Sequence, residues 1–290
     1  FSSSVIYVGT DDGNLQVTRD GGDNWMIVEN RPGLPQGTYV SRLQASRHSE
    51  GRVYASFDAH NDDDYGPYLY VSEDYGVSWQ SISSGLPDWS INVVREHHLS
   101  PNLLFLGNEV GVYVSFDRGG NWQSFKGNFP TVPVDDIAIH PRENDLIVGT
   151  HGRSIWILHD LGPLQEIADD PAMLGTSLHG FRSKPGTQWI RSGGWPFWGD
   201  MFIAPNPEDG VRIRYWLGED LVLEPASECG QPVCVEIFDK SLQLISKMTG
   251  SSEAGFHEIL WDMRYELPSD IEDSNGGGFG PSLTGPMVLP

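Results

Sequence analysis

Three stretches decide how this chain is built: Thr18-Arg-Asp20-Gly-Gly22-Asp-Asn-Trp25, Ser72-Glu-Asp74-Tyr-Gly76-Val-Ser-Trp79 and Ser115-Phe-Asp117-Arg-Gly119-Gly-Asn-Trp122. All three read Ser/Thr-x-Asp-x-Gly-x-x-Trp. The pattern has the physics of a hairpin corner. The Asp accepts hydrogen bonds from local backbone amides, and the Gly takes a positive φ. The Trp opens the next strand and fills the space between sheets. Three copies in one strand context make a repeat rather than a coincidence.

Working outward, each copy lies inside the same larger unit. Around the third, alternating segments at 91–94, 103–107, 112–115 and 122–125 read as four short antiparallel strands. The second unit runs from 39 to 82 on the same plan, with an insert at 58–66. The first begins mid-unit at Val5. A fourth, 134–158, has three strands (136–140, 146–150 and 154–158) and then His159-Asp160-Leu-Gly-Pro where a box is expected. Four-stranded units repeating every ~40–50 residues are β-propeller blades. The expected class is all-β, with Trp25, Trp79 and Trp122 buried at equivalent positions and no helix longer than two turns before residue 160.

The box resembles the Asp-box, or bacterial neuraminidase, repeat of sialidases, sortilin-type sorting receptors and xyloglucan-active glycoside hydrolases. A closer resemblance is to large exported bacterial proteins with sortilin-like propellers, often labelled glycosyl-hydrolase-like. It is carried by Pro67-Tyr-Leu-Tyr-Val-Ser-Glu-Asp-Tyr-Gly-Val-Ser-Trp79, Pro101-Asn-Leu-Leu-Phe-Leu-Gly-Asn-Glu-Val-Gly-Val-Tyr-Val-Ser-Phe-Asp117 and His140-Pro-Arg-Glu-Asn-Asp-Leu-Ile-Val-Gly-Thr-His-Gly-Arg-Ser-Ile-Trp156. The resemblance implies a propeller closed by a small immunoglobulin-like β-sandwich. The layout expected is blades over 1–160, a linker packed on them over 161–200, and the sandwich over 201–290. The linker holds Ser192-Gly-Gly-Trp-Pro-Phe-Trp-Gly199. The sandwich strands are expected at 211–217, 234–239, 242–247 and 257–262, with a turn at Asp239-Lys-Ser241 and a flexible loop at 269–280. Such repeats fix a fold and leave function open.

Charge narrows the partners. The chain has 290 residues and a net charge of −22. That balance excludes nucleic acid, whose phosphates need a basic surface. No apolar run reaches the ~20 residues of a membrane-spanning helix, so membrane insertion is not expected. The first strand starts at the first few residues and the last residues are apolar, so the sequence reads as a piece of a longer protein. The remainder of that chain, or another subunit, is expected to complete the propeller. Cys229 and Cys234 flank Gly230-Gln-Pro-Val. They are too few for a metal site, and a disulfide across the turn and two free thiols both remain open. Neither a metal nor a cofactor is implied. An exported propeller of this kind is expected to be secreted, periplasmic or at the cell surface.

Blade geometry orders the candidate site residues. In a four-stranded meander the turn after strand two lies opposite the boxes, which follow strand three. Asp11, Asp12, Asp58, Glu109, His151 and Arg153 come from these equivalent turns and are expected to share one face. Loops on a rigid scaffold are where binding groups gather. Carboxylates drawn together there repel, which should raise some of their pKa values unless Arg153 or a cation compensates. Asp20, Asp74 and Asp117 are turn caps rather than catalytic acids. Asn61-Asp-Asp-Asp-Tyr65 lacks the ligand rhythm of a calcium loop and reads as a solvated charge run. His97-His98 reads as a surface turn. Three functions fit: a binding module for protein, peptide or glycan; a glycoside hydrolase with paired carboxylates such as Asp58 and Glu109; or a structural envelope component. A sialidase fits poorly, because Arg153 is the only arginine on the expected face. Exposed Trp on that face would favour sugar, and Trp195 with Trp198 is the dense aromatic pair.

Overall fold

The structure is a computed structural model that describes residues 3–28, 33–35, 37–188, 208–222, 230, 232–266 and 288. It divides into two units, Phe1–Pro171 and Ala172–Pro290.

The first unit is a set of antiparallel sheets of the propeller-blade type. Blade 1 has β1 (Ile6–Gly9), β2 (Leu15–Thr18) and β3 (Met26–Ile27). Blade 2 has β4 (Tyr39–Ala45), β5 (Val53–Ala59), β6 (Asp64–Ser72) and β7 (Gln80–Ser81). Blade 3 has β8 (Ile91–Glu96), β9 (Leu104–Asn108), β10 (Gly111–Ser115) and β11 (Gln123–Ser124). Blade 4 has β12 (Val134–Ile139), β13 (Leu146–Thr150) and β14 (Ile155–Leu158). Each sheet follows chain order, so every connection is a hairpin. Where a fourth strand of blade 4 is expected, the chain instead forms helix α1 (Gly162–Asp169). The helix is held by Ser100, whose hydroxyl donates to Asp169 at 2.6 Å, and by Asn102, whose amide donates to the Ala168 carbonyl.

The sheets stack face to face, and this explains why β5 and β9 are buried at every position. Successive side chains of β5 serve two different cores. Val53, Ala55 and Phe57 pack with Leu15 and Val17 of blade 1, whereas Tyr54 packs with Ile91 and Leu104 of blade 3. A third core between blades 3 and 4 holds Phe105, Val114, Val134 and Val148. Blades approach so closely that a Cβ on Gly107 would lie 2.5 Å from Val134 Cγ1.

The boxes form as their chemistry demands. In blade 3 the Asp117 carboxylate accepts from the Ser115 hydroxyl and the Asn121 amide nitrogen, both at 2.8 Å, while Ser115 Oγ accepts from Gly119 N. Asp74 and Asp20 repeat the arrangement with Ser72 and Thr18. The Asn24 side chain and backbone hydrogen bonds hold Asp20 down at a pKa of about 2. Gly119 has φ +87, and the Trp122 indole N–H donates to the Ile82 carbonyl of the preceding blade at 2.7 Å. Trp79 and Trp122 are buried, each 9% exposed, but Trp25 is 43% exposed. This corrects the expectation for Trp25. Trp122 lies against the last strand of the blade before it, and among the described residues no sheet precedes blade 1.

A second repeated device lies in the turn after strand one. Ser46, His97 and His140 occupy the same place there, each donating its backbone N–H across to the next strand. Ser46 Oγ accepts from the N–H groups of His48 and Ser49; His97 Nδ1 accepts from those of Leu99 and Ser100; His140 Nδ1 accepts from that of Glu143. His97 is therefore a buried turn cap, not a surface residue. Its proton sits on Nε2, which donates to Asn144 Oδ1 at 2.7 Å. Burial pushes its pKa down to about 4, against the opposing pull of that Asn144 bond.

In the second unit, β15 (Leu178–Gly180), β16 (Val211–Leu217), β17 (Val233–Phe238), β18 (Leu244–Gly250) and β19 (Gly255–Trp261) form a sheet β15-β16-β19 and a hairpin β17-β18. Asp239 caps the hairpin turn by accepting from the N–H groups of Ser241 and Gln243. Tyr215, Leu217 and Val233 form a small core. Cys234 is disulfide-bonded. Its sequence neighbour Cys229 lies outside the described residues, as do Trp195, Trp198 and the stretch 269–280.

Candidate functional site

Because neighbouring strands run antiparallel, the turn after strand two and the start of strand one share an end of each blade; we call it the mouth. Adjacent blades are locked in step at this end. Val40 N–H donates to the Thr10 carbonyl, and the Ser41 hydroxyl donates to the Ile91 carbonyl at 2.6 Å.

Strand one carries an extra residue near the mouth in three successive blades. Pairing slips by one between Val40 and Arg42, between Ile91 and Val93, and between Val134 and Asp136. Ser41, Asn92 and Asp135 are the bulged residues. A bulge leaves one residue outside the ladder and re-aims its side chain. Asn92 donates its amide to Glu109 Oε1 at 2.9 Å, and Asp135 faces His151 Nδ1 at 3.4 Å. In blades 3 and 4 the bulged side chain thus meets the turn after strand two, whereas in blade 2 Ser41 bonds Ser56 and the Ile91 carbonyl.

Asp58, Glu109 and His151 are each the residue just past the bulge-facing partner on strand two, so they are equivalent by register. Asp58 accepts from His60 Nδ1 at 2.6 Å and from His60 N. Asp12 accepts from the Thr10 hydroxyl. Hydrogen bonds from Thr10 and Asn14 hold the Asp12 carboxyl below its ordinary value. That is opposite to the rise expected from mutual repulsion, because these short-range donors act on an exposed group. Arg153 is exposed, and its backbone carbonyl accepts from the Trp156 indole N–H at 3.0 Å. Among the described residues, no hydrogen bond or ion pair joins any two of Asp11, Asp12, Asp58, Glu109, His151 and Arg153. Asp12, Asp58, Glu109 and His151 are tied to their own neighbours instead.

Sequence reasoning missed what lies along strand one. Asp136 Oδ1 accepts from Arg95 NH2 at 2.9 Å and Arg42 NH2 at 3.1 Å, while Arg95 also reaches Gln44 Oε1 and the Ile137 carbonyl. Desolvation and the nearby Arg42 charge lower the Arg95 pKa. It also missed Trp89, and it gave His60 and Tyr65 of the 58–65 turn no role of their own. The Tyr65 and Trp89 rings, from blade 2 and the approach to blade 3, sit edge to face with centroids 6.3 Å apart. Among the described residues no cluster of three or more His, Cys, Asp or Glu could hold a metal ion, and no helix is long and apolar enough to cross a membrane.

Known proteins resemble parts of this chain. Residues 68–160 match the Sortilin-Vps10 family model, described as sortilin, neurotensin receptor 3. The chain is similar in fold to the GH74 enzyme of Niastella koreensis, with 12% identity over 53% of this chain and 26% of that one and a TM-score of 0.42. A GH74 xyloglucanase from Xanthomonas campestris gives 15% identity over 90% and 37%, with a TM-score of 0.42. YCF48 bound to a D1 peptide gives 12% over 86% and 66%, with a TM-score of 0.40. The chain therefore spans between a quarter and two thirds of the length of these structures. No curated protein matches it.

Proposed function

We propose that the mouth is a recognition surface, holding a protein, peptide or glycan without turning it over, in an extracytoplasmic protein. One observation carries this reading. Each engaged carboxylate at the mouth faces its own hydrogen-bond donor: Glu109 faces Asn92 and Asp58 faces His60. A glycosidase needs one carboxyl group to donate a proton and a second to act across the scissile bond about 5–10 Å away. Carboxylates pinned separately suit orientation of a ligand better than such a paired role. We further read the second unit as an immunoglobulin-like module at 201–290, joined to the blades by 161–200. The blades at 1–160 would be completed by further chain or another subunit.

The test offers β-linked oligosaccharides and basic peptides to the intact protein and to Glu109→Gln. No new reducing ends are expected from either. The charge change should weaken binding of a basic peptide by up to about fivefold, the value of an exposed charge pair. Sugar cleavage by the intact protein that disappears in Glu109→Gln would replace recognition with hydrolysis.

A further inference from the structure

Exposed aromatic rings are concentrated at the mouth. Four aromatic side chains are markedly exposed among the described residues of the first unit: Trp25, Tyr39, Tyr65 and Trp89. The last three, 40%, 46% and 42% exposed, belong to this end. Tyr39 begins β4 and pairs in register with Asp58; Tyr65 lies just after the tip of the following turn; Trp89 lies just before β8.

These rings are held, not loose. The loop carrying Tyr65 is closed by pairing of Ala59 with Asp64, and the Asp64 carboxylate accepts from Gly66 N and from the Tyr68 hydroxyl at 2.6 Å. Trp89 donates its backbone N–H to the Pro87 carbonyl and is followed by the buried pair Ser90 and Ile91. The Tyr65 hydroxyl and the Trp89 indole N–H bond to no described residue. A held pair of partly exposed rings with unused polar tips is suited to receive a ligand.

The charge around it selects the visitor. Asp62, Asp63 and Asp88 adjoin the two rings in sequence, and Asp58 and Glu109 belong to the same end. His60 is the basic side chain of this loop, and Asp58 already engages it. Aromatic faces carry negative potential and attract a cation centred within about 6 Å. Flanking carboxylates add to that field and oppose an anion.

We propose that the Tyr65–Trp89 pair seats an arginine or lysine side chain of a bound polypeptide, with Tyr39 and the surrounding carboxylates framing it. The inference rests on the reading of the mouth as a recognition surface and names its partner's chemistry.

The experiment uses the intact chain and a fluorescein-labelled octapeptide of alternating Gly and Arg. A Gly-Glu octapeptide and cellohexaose serve as the other arms. The Gly-Arg peptide is expected to bind, and more weakly as salt rises. Trp89→Ala should weaken it about tenfold and Tyr65→Ala by a few fold, the upper range for a cation over an aromatic face. Trp89→Phe should retain most of the affinity, and Phe238→Ala, an exposed ring of the second unit, should change nothing. Unchanged thermal melts will certify the variants. Absence of Gly-Arg binding, equal binding of Gly-Glu, or indifference to both ring substitutions would overturn the inference. So would Trp89-dependent binding of cellohexaose without Gly-Arg, which would make the rings a sugar platform. Reducing-end release from cellohexaose is read separately and bears on the recognition reading itself.

Discussion

Lowering the pH from 7 to 4 is expected to cost the first unit about 3 kcal/mol of stability through one side chain, His97. The unfolded imidazole titrates near 6.5, whereas burial lowers the folded value to about 4. The folded state therefore binds fewer protons across this window, and stability falls as pH falls through it, by about 1.4 kcal/mol per pKa unit. Above 6.5 the contribution is fully present; below 4 both states are protonated and nothing more is lost. The geometry gives the reason. Nδ1 already accepts from Leu99 N and Ser100 N, so a proton there would face two donors at the bottom of a sealed turn. His98 and His48 add like charge nearby, and Asp169 partly offsets them. Urea unfolding of the intact protein and of His97→Ser should be compared at both pH values. Serine is the replacement that blade 2 already uses, as Ser46. The variant should lose markedly less stability on acidification, and an equal loss in both proteins would refute the assignment.

Glu96→Ala should destabilise the first unit by about 3–5 kcal/mol, the range for removing one partner of a buried charged network. Glu96 belongs to blade 3 but serves blade 2. Its carboxylate accepts from the Ser46 hydroxyl and Arg47 N at 2.9 Å and from the Tyr54 hydroxyl at 3.1 Å, with Arg52 at 3.7 Å. Removing it leaves three donors without their acceptor, while Arg52 keeps its closer pairing with Glu73 at 2.8 Å. Glu96→Gln keeps the shape and one acceptor oxygen, so a smaller loss of about 1–3 kcal/mol is expected. Urea midpoints with unchanged slopes would read both directly. A loss below about 1 kcal/mol for the alanine variant would mean the clamp is dispensable.

How much of this was legible in the sequence depends on how local the chemistry is. The boxes could be read because Asp, Gly and Trp act on amides and rings a few residues away, and strand alternation followed from the same period. The equivalence of Asp58, Glu109 and His151 also came from counting strands. The bulges at Ser41, Asn92 and Asp135 did not, because a bulge exists only against the register of a partner strand. His97 was misread because Ser46 and His97 share no chemistry except an acceptor at the right height above the turn. Trp25 was misjudged because its burial depends on a neighbouring sheet, not on its own corner. Tyr65 and Trp89, distant in sequence, meet only through the stacking of blades 2 and 3.

The strand-one bulge has a consequence for how such a protein can change. Below it, the pleat is dictated by neighbouring blades, and a misplaced atom there, as at Gly107, meets a wall. Above it, one unpaired residue absorbs the mismatch, so the upper chain is released from the parity imposed below. Ser, Asn and Asp stand at that position in three blades of one chain, and the ladder beneath continues unbroken in each. The mouth can therefore be rewritten blade by blade, exchanging specificity like the teeth of a key while the shaft is left alone.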